Sequence, residues 1–214
     1  MQGKYISTEG IQTLGRVEGT DGWFWGTDCT YGDLYEAQQL YEQSHPVRGT
    51  RLILVSYPDG KVYEPISRRD GLYFGVPVYW EGALHLLAAD FSAKKILLFR
   101  WEGGGGSLTE EASLELSAVK DCYNLRLITY PLSIIRQGGE NLFTIAWPRR
   151  AQFCIDPEES IDHREEGELI FSKWYEDPDY REETVIRAYP SGEIRKRIPG
   201  SCYRMDDGTS WIVN

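Results

Sequence analysis

Five short segments of this 214-residue chain set a turn beside an aromatic or apolar run, and three carry the same Asp-Gly pair. Asp21-Gly22-Trp23-Phe24-Trp25, Asp70-Gly71-Leu72-Tyr73-Phe74 and Asp207-Gly208-Thr209-Ser210-Trp211 join an Asp-Gly turn to an aromatic strand. Asp121-Cys122-Tyr123-Asn124-Leu125 and Gly167-Glu168-Leu169-Ile170-Phe171 are degenerate copies. Carboxylates gathered at one mouth have two uses. They hold a hard cation such as calcium through oxygen, or they serve as acid and base in sugar chemistry. Flat rings beside them would stack on a sugar face while polar groups take the hydroxyls. The candidate ligand-binding set is therefore Asp21, Trp23, Asp70, Tyr73, Asp121, Tyr123, Asp207 and Trp211. Each residue also has a structural reading that outweighs the functional one taken singly. The Asp of an Asp-Gly pair bonds its own turn and the Gly supplies positive φ, while large rings fill space between sheets.

Other chemistry is sparse. The three histidines, His45, His85 and His163, form no Ser-His-Asp, Cys-His or His-metal motif by local signature. No residue is assigned a catalytic role, no metal site is expected, and calcium at the Asp cluster is the only cofactor the residues suggest. The four cysteines, Cys29, Cys122, Cys154 and Cys202, lie far apart, which predicts reduced, mostly buried thiols. The acidic stretch around His163 reads as a solvated edge. Gly103 to Gly106 reads as a flexible loop, because its flanks lack a phosphate-binding pattern.

The elements that would position these residues repeat. An apolar run leads to an aromatic residue and a turn four times: Leu52-Ile53-Leu54-Val55 to Tyr57-Pro58-Asp59-Gly60, Ile96-Leu97-Leu98-Phe99 to Trp101-Glu102-Gly103, Leu142-Phe143-Thr144-Ile145 to Trp147-Pro148, and Val185-Ile186 to Tyr189-Pro190-Ser191-Gly192. The aromatic positions 57, 101, 147 and 189 are spaced by 44, 46 and 42 residues. Pro presets the first turn residue and Gly accepts positive φ, so each pattern reads as a strand ending in a tight turn. An extended stretch follows each turn, and room for one more strand precedes it, such as Leu84 to Ala89. Each unit is thus about four short strands. Asp33-Leu34-Tyr35-Glu36 has the form of a capping box, but alternation fits the following residues equally well and the repeat favours a strand there. Ser107 to Glu110 reads as a loop leading into a strand.

A period of this length marks a repeat architecture. The single strand after Asp207 and a Gly10-centred hairpin over Tyr5 to Leu14 look like parts of one further unit. On this pattern the chain resembles a β-propeller, whose ring is commonly closed by such a shared blade. The resemblance implies an all-β, five-bladed β-propeller spanning residues 1–214 as one domain, with the last blade shared by the N- and C-termini. The signatures of the WD40 and kelch types are absent. A β-sandwich or jelly roll is the alternative, although a sandwich requires no fixed period. In a propeller the loops entering the innermost strands open on one face, so the Asp-Gly starts are expected around one mouth.

A net charge of -10 disfavours nucleic acid and anionic membrane as partners. The opening residues Met1 to Tyr5 lack the apolar stretch of an export signal, which with the cysteines predicts a cytoplasmic protein. The function expected is a non-enzymatic binding module with a glycan or protein ligand at the axial face. The alternative is a glycan-active hydrolase, because five-bladed propellers of similar architecture include furanosidases.

Overall fold

A computed structural model describes residues 3–28, 33–46, 48–165, 167–205 and 208–214. The chain is all-β, built of several antiparallel sheets whose strands follow one another in chain order. Two compact units divide it, residues 1–127 and 128–214.

The first unit holds two sheets. Strands β1 (Gly15–Arg16), β2 (Trp23–Thr27), β3 (Leu52–Ser56) and β4 (Val62–Tyr63) form one sheet in that order. Helix α1 (Leu34–Glu42) lies in the connection between β2 and β3. The second sheet contains β5 (Leu72–Phe74), β6 (Val78–Trp80), β7 (Ala83–Asp90), β8 (Lys95–Trp101) and β9 (Leu108–Glu115). Both β5 and β6 pair with β7, as one interrupted strand would.

The second unit repeats the pattern. Strands β10 (Arg126–Ile128), β11 (Ser133–Gln137), β12 (Leu142–Trp147) and β13 (Ala151–Cys154) make one sheet. Strands β14 (Glu159–Glu165), β15 (Glu168–Tyr175), β16 (Arg181–Ala188) and β17 (Ile194–Pro199) make the next. Strands β18 (Ser201–Arg204) and β19 (Ser210–Val213) form a two-stranded hairpin.

The four aromatic turns occupy one structural position. Each joins the third strand of its ladder to the last: β3 to β4, β8 to β9, β12 to β13 and β16 to β17. The apolar runs before them are buried because covered sheets need apolar residues on both faces. In β3, Leu52 and Leu54 join one cluster while Ile53 and Val55 join another, as the two-residue period of a strand dictates. The first cluster packs the β1–β4 sheet against Leu72, Phe74, Leu84, Leu86 and Leu97 of the second sheet. In the second unit, Ile135, Phe143 and Ile145 meet Ile161, Leu169, Phe171 and Val185 across two sheets. Each fully buried side chain of this size contributes about 1.5–3 kcal/mol.

Three sequence expectations change. Residues 34–42 are helix, not strand. The Asp33 carboxylate accepts the N–H groups of Tyr35 and Glu36, both at 2.9 Å, so the cap decides where alternation and helical spacing tie. Residues 3–14 form no strand. Ile6, Ile11 and Leu14 lie on Ile53 and Val55 instead, covering a sheet face as coil. The stretch around His163 is not a solvated edge. It is strand β14, whose Glu159, Ile161, His163 and Arg164 are buried. Its charges are met by partners on neighbouring strands: Arg187 bonds the buried Glu159 at 2.7 Å, and Arg197 reaches both Asp156 and Glu183.

Candidate functional site

The turn residues fall into two structural classes. Asp70 and Asp121 precede the first strands of their sheets, β5 and β10. Asp21 and Glu168 lie instead at hairpin turns, β1–β2 and β14–β15. Register places Asp21 and Asp70 at opposite ends of the first unit's sheets. β2 begins beside Asp21 and ends at Thr27 opposite Leu52, whereas Thr50 bonds Leu72 just after Asp70. Asp21 is highly exposed and paired across its own hairpin with Arg16 at 2.6 Å. Asp207 lies outside the described residues.

Helix α1 assembles the other end. Its face repeats at helical spacing through Tyr35, Gln38 and Tyr41. Tyr35 packs edge-on against Tyr123, with ring centroids 5.3 Å apart. Gln38 accepts the Cys122 N–H through Oε1 at 2.9 Å. The Tyr41 hydroxyl lies 3.1 Å from Ser92 Oγ, and Ser92 donates in turn to the Asp70 carbonyl at 3.1 Å and carboxylate at 3.3 Å. One helix face therefore joins the Asp70 turn to the Asp121 turn. The first sign of this in the sequence is the Asp33 capping box.

Asp70 is held by Arg48, with Nε to Oδ1 at 2.7 Å. The Arg48 guanidinium also lies over the Tyr41 ring, 4.5 Å from its centroid. The hydrogen bond from Arg48 holds the Asp70 carboxyl below the usual aspartate range and raises Arg48 in return. Asp70 is thus an ionised acceptor and not a proton donor. Asp121 is half-buried and accepts the Tyr123 N–H at 3.0 Å, the turn bond its sequence suggests. A hollow of about 300 Å³ opens beside it, lined by the polar Gln38, Lys94, Glu115, Ser117, Lys120 and Asp121 together with the apolar Leu116 and Val119.

The aromatic candidates divide as well. Trp23 packs with Tyr63 and Trp101, ring centroids 5.7 and 5.3 Å away, and belongs to the core. Tyr73 is fully buried among Tyr41 and Phe91. Tyr123 remains 40% exposed and Trp211 61% exposed, the latter on hairpin β18–β19 in the second unit. A second hollow, about 570 Å³, runs beside β2 between Gly10–Gly15 and Trp25–Asp28. Its one carboxylate, Asp28, is engaged by the Arg51 N–H at 2.8 Å and by Arg68 at 3.2 Å. Among the described residues no group of three or more His, Cys, Asp or Glu side chains is arranged to hold a metal ion. Among them, too, no helix is long and apolar enough to cross a membrane.

No protein-family model matches the chain, and no curated protein matches its sequence.

Proposed function

We propose that this chain is a non-enzymatic binding module that takes a hydroxyl-rich ligand, a glycan, at the α1 end of its first unit. The observation that carries this reading is the arrangement around Asp121. An exposed ring, Tyr123, stands two residues from a half-buried carboxylate at the rim of a hollow that mixes polar groups with Leu116 and Val119. A ring for the apolar sugar face, with amide, ammonium and carboxylate groups for hydroxyls, is the chemistry a sugar site uses.

In this reading the sheets are blades of a five-bladed propeller, with β18–β19 as the short fifth. Four ladders in chain order, packed face to face in pairs, support it. Free thiols at Cys122, Cys154 and Cys202 support a reducing, cytoplasmic setting. Solution scattering tests the ring: two separated lobes would overturn it.

A thermal-shift screen of mono- and oligosaccharides tests the ligand. A sugar should raise the melting temperature of the native chain, and Tyr123→Ala should abolish that shift, over and above the small fall in unliganded melting temperature that comes from losing its contact with Tyr35. A blank glycan array with folded protein would overturn the reading. Release of reducing ends from an oligosaccharide would replace it with the hydrolase.

A further inference from the structure

Among the described residues of the second unit, Arg136, Arg164 and Arg187 are buried. Two of them hold a carboxylate: Arg136 pairs with Glu140 at 2.8 Å, and Arg187 with Glu159 at 2.7 Å. Arg164 pairs with none of the described carboxylates. Its Nη1 donates to Ser133 Oγ at 2.8 Å, and its guanidinium lies over the Tyr189 ring, 3.8 Å from the centroid. Its Nε is buried and has no hydrogen-bond partner among the described residues. A guanidinium stays charged at any working pH. A buried charge is costly unless it is paired, and Arg164 is only 7% exposed.

Strand register delivers Arg164 to this place. Arg164 pairs with Leu169 on β15, and Leu169 with Arg187 on β16, so the three side chains share the sheet face that packs on β11 and β12. Ser133 opens β11 and Tyr189 lies in the β16–β17 turn, so the guanidinium sits where those elements meet. Ser133 Oγ is already spent, since it accepts from Arg164 and donates to the Pro131 carbonyl at 3.2 Å. With Nη1 bonded and the ring on one face, the edge left over is Nε with Nη2. Two parallel N–H groups of that kind match two oxygens of one oxyanion. Charge is unbalanced beyond the ring as well. The Tyr189 hydroxyl donates to the Arg149 carbonyl at 3.4 Å, which brings the β12–β13 turn against the far end of the ring. Arg149 and Arg150 in that turn are exposed, and neither pairs with a carboxylate among the described residues.

We propose that the Arg164 fork, approached past Arg149 and Arg150, is a binding site for a compact oxyanion of the phosphate or carboxylate class. The anion takes the place that Glu140 and Glu159 take for Arg136 and Arg187. Charge sets the sign of the ligand: in a chain of net charge -10, three guanidiniums without carboxylates gather at one turn. Burial sets its size. Nε is closed to bulk water, so only a small group entering beside Nη2 reaches that edge. Arg149 and Arg150 act at longer range. They raise the local anion concentration and the on-rate, an effect that salt screens beyond about 10 Å. The site lies wholly within the second unit and does not depend on the sugar reading.

Titration calorimetry of the full chain with inorganic phosphate and with acetate tests this, at fixed ionic strength with chloride as the balancing anion. One of the two should bind with a dissociation constant of about 10 µM to 1 mM, and the tighter one names the class. Arg164→Lys keeps a charge but loses the fork, and should weaken binding at least tenfold. Arg164→Met should abolish it. Arg149→Ser with Arg150→Ser, both on the surface, should weaken binding about threefold to tenfold at low salt and leave the anion-free melting temperature unchanged. That double variant keeps the test standing if an Arg164 variant fails to fold. No binding of either anion at about 10 mM overturns the inference. So does binding that survives Arg164→Met, because the anion would then sit elsewhere.

Discussion

Gln38 of α1 accepts the backbone N–H of Cys122, 84 residues further along, at 2.9 Å. The bond ties the helix to the turn that carries Asp121 and Tyr123, so the geometry of the proposed sugar site depends on a residue that need not touch the ligand. Gln38→Ala should lower stability by only about 1 kcal/mol, the net worth of one hydrogen bond. It should weaken sugar affinity more than that stability change implies, because the turn is released. Titration calorimetry beside a urea melt separates the two effects. Unchanged affinity would show that the turn holds its shape without the helix.

Asp33 offers an independent handle on the same helix. Its carboxylate takes two N–H groups at the helix start, so Asp33→Ala should cost about 0.5–2 kcal/mol. Asp33→Ser should recover most of that loss. Thermal melts of the three proteins check the ordering, and equal melting temperatures would mean that Leu34 and Ala37, buried in the core, hold the helix alone.

How far the sequence reveals this architecture depends on the range of each signal. The aromatic turns at Tyr57, Trp101, Trp147 and Tyr189 are legible because a strand and its turn are encoded within about ten residues, and all four fall at one ladder position. The Asp-Gly pairs are ambiguous because one dipeptide sits in two different settings: Gly71, with φ of 77°, uses its left-handed freedom before β5, whereas Gly22 at the β1–β2 turn does not, and Gly19, with φ of 87°, supplies it there. Arg48 with Asp70, and Gln38 with Cys122, are contacts that local pattern does not encode. The choice between helix and strand after Asp33 rests on a cap that competes with alternation, and the repeat alone favours the wrong side.

The Glu159–Arg187 pair sets the stability of the second unit. Glu159 is fully buried and accepts both Nε and Nη2 of Arg187, at 3.1 and 2.7 Å, while Arg187 also donates to the Gly192 carbonyl at 2.8 Å. Removing one partner strands a buried charge, so Arg187→Met should destabilise by about 3–5 kcal/mol. Replacing both, as Glu159→Leu with Arg187→Met, should cost clearly less than the single change. A double-mutant cycle in guanidinium reads the coupling, and additive losses would show that the charges act independently.

Acid should loosen the second unit through His163. Burial is the leading cause of its lowered pKa, against the opposing pull of Glu165. The folded state therefore resists a proton that the unfolded chain accepts from about pH 6.5 downward, and stability falls as pH falls through that window. Asp156, lowered by Lys173 and Arg197, adds its loss only at more acidic pH, as it protonates. Denaturation midpoints at pH 7.5 and 5.5 should differ, and His163→Gln should flatten the difference. An unchanged slope in that variant would assign the acid sensitivity to another group.

The third-to-last turns supply the last prediction. Tyr57 N–H bonds the Gly22 carbonyl at 2.8 Å, and Tyr189 N–H bonds the Gly167 carbonyl at 3.0 Å, so both units lock the aromatic turn onto the neighbouring hairpin in the same way. Gly192 closes the Tyr189 turn at φ of 75°, with the Phe153 ring where a Cβ would stand. Gly104 has φ of 59° in the β8–β9 turn, with open space around it. Gly104→Ala should cost about 1–2 kcal/mol, the strain of a left-handed backbone alone. Gly192→Ala should cost a further 1–3 kcal/mol, because Phe153 packs on Phe143 and Phe171 and is not free to yield. Urea midpoints of the two variants decide it. Equal losses would mean that the ring moves aside and that the turn, not the aromatic packing under it, sets the requirement for glycine.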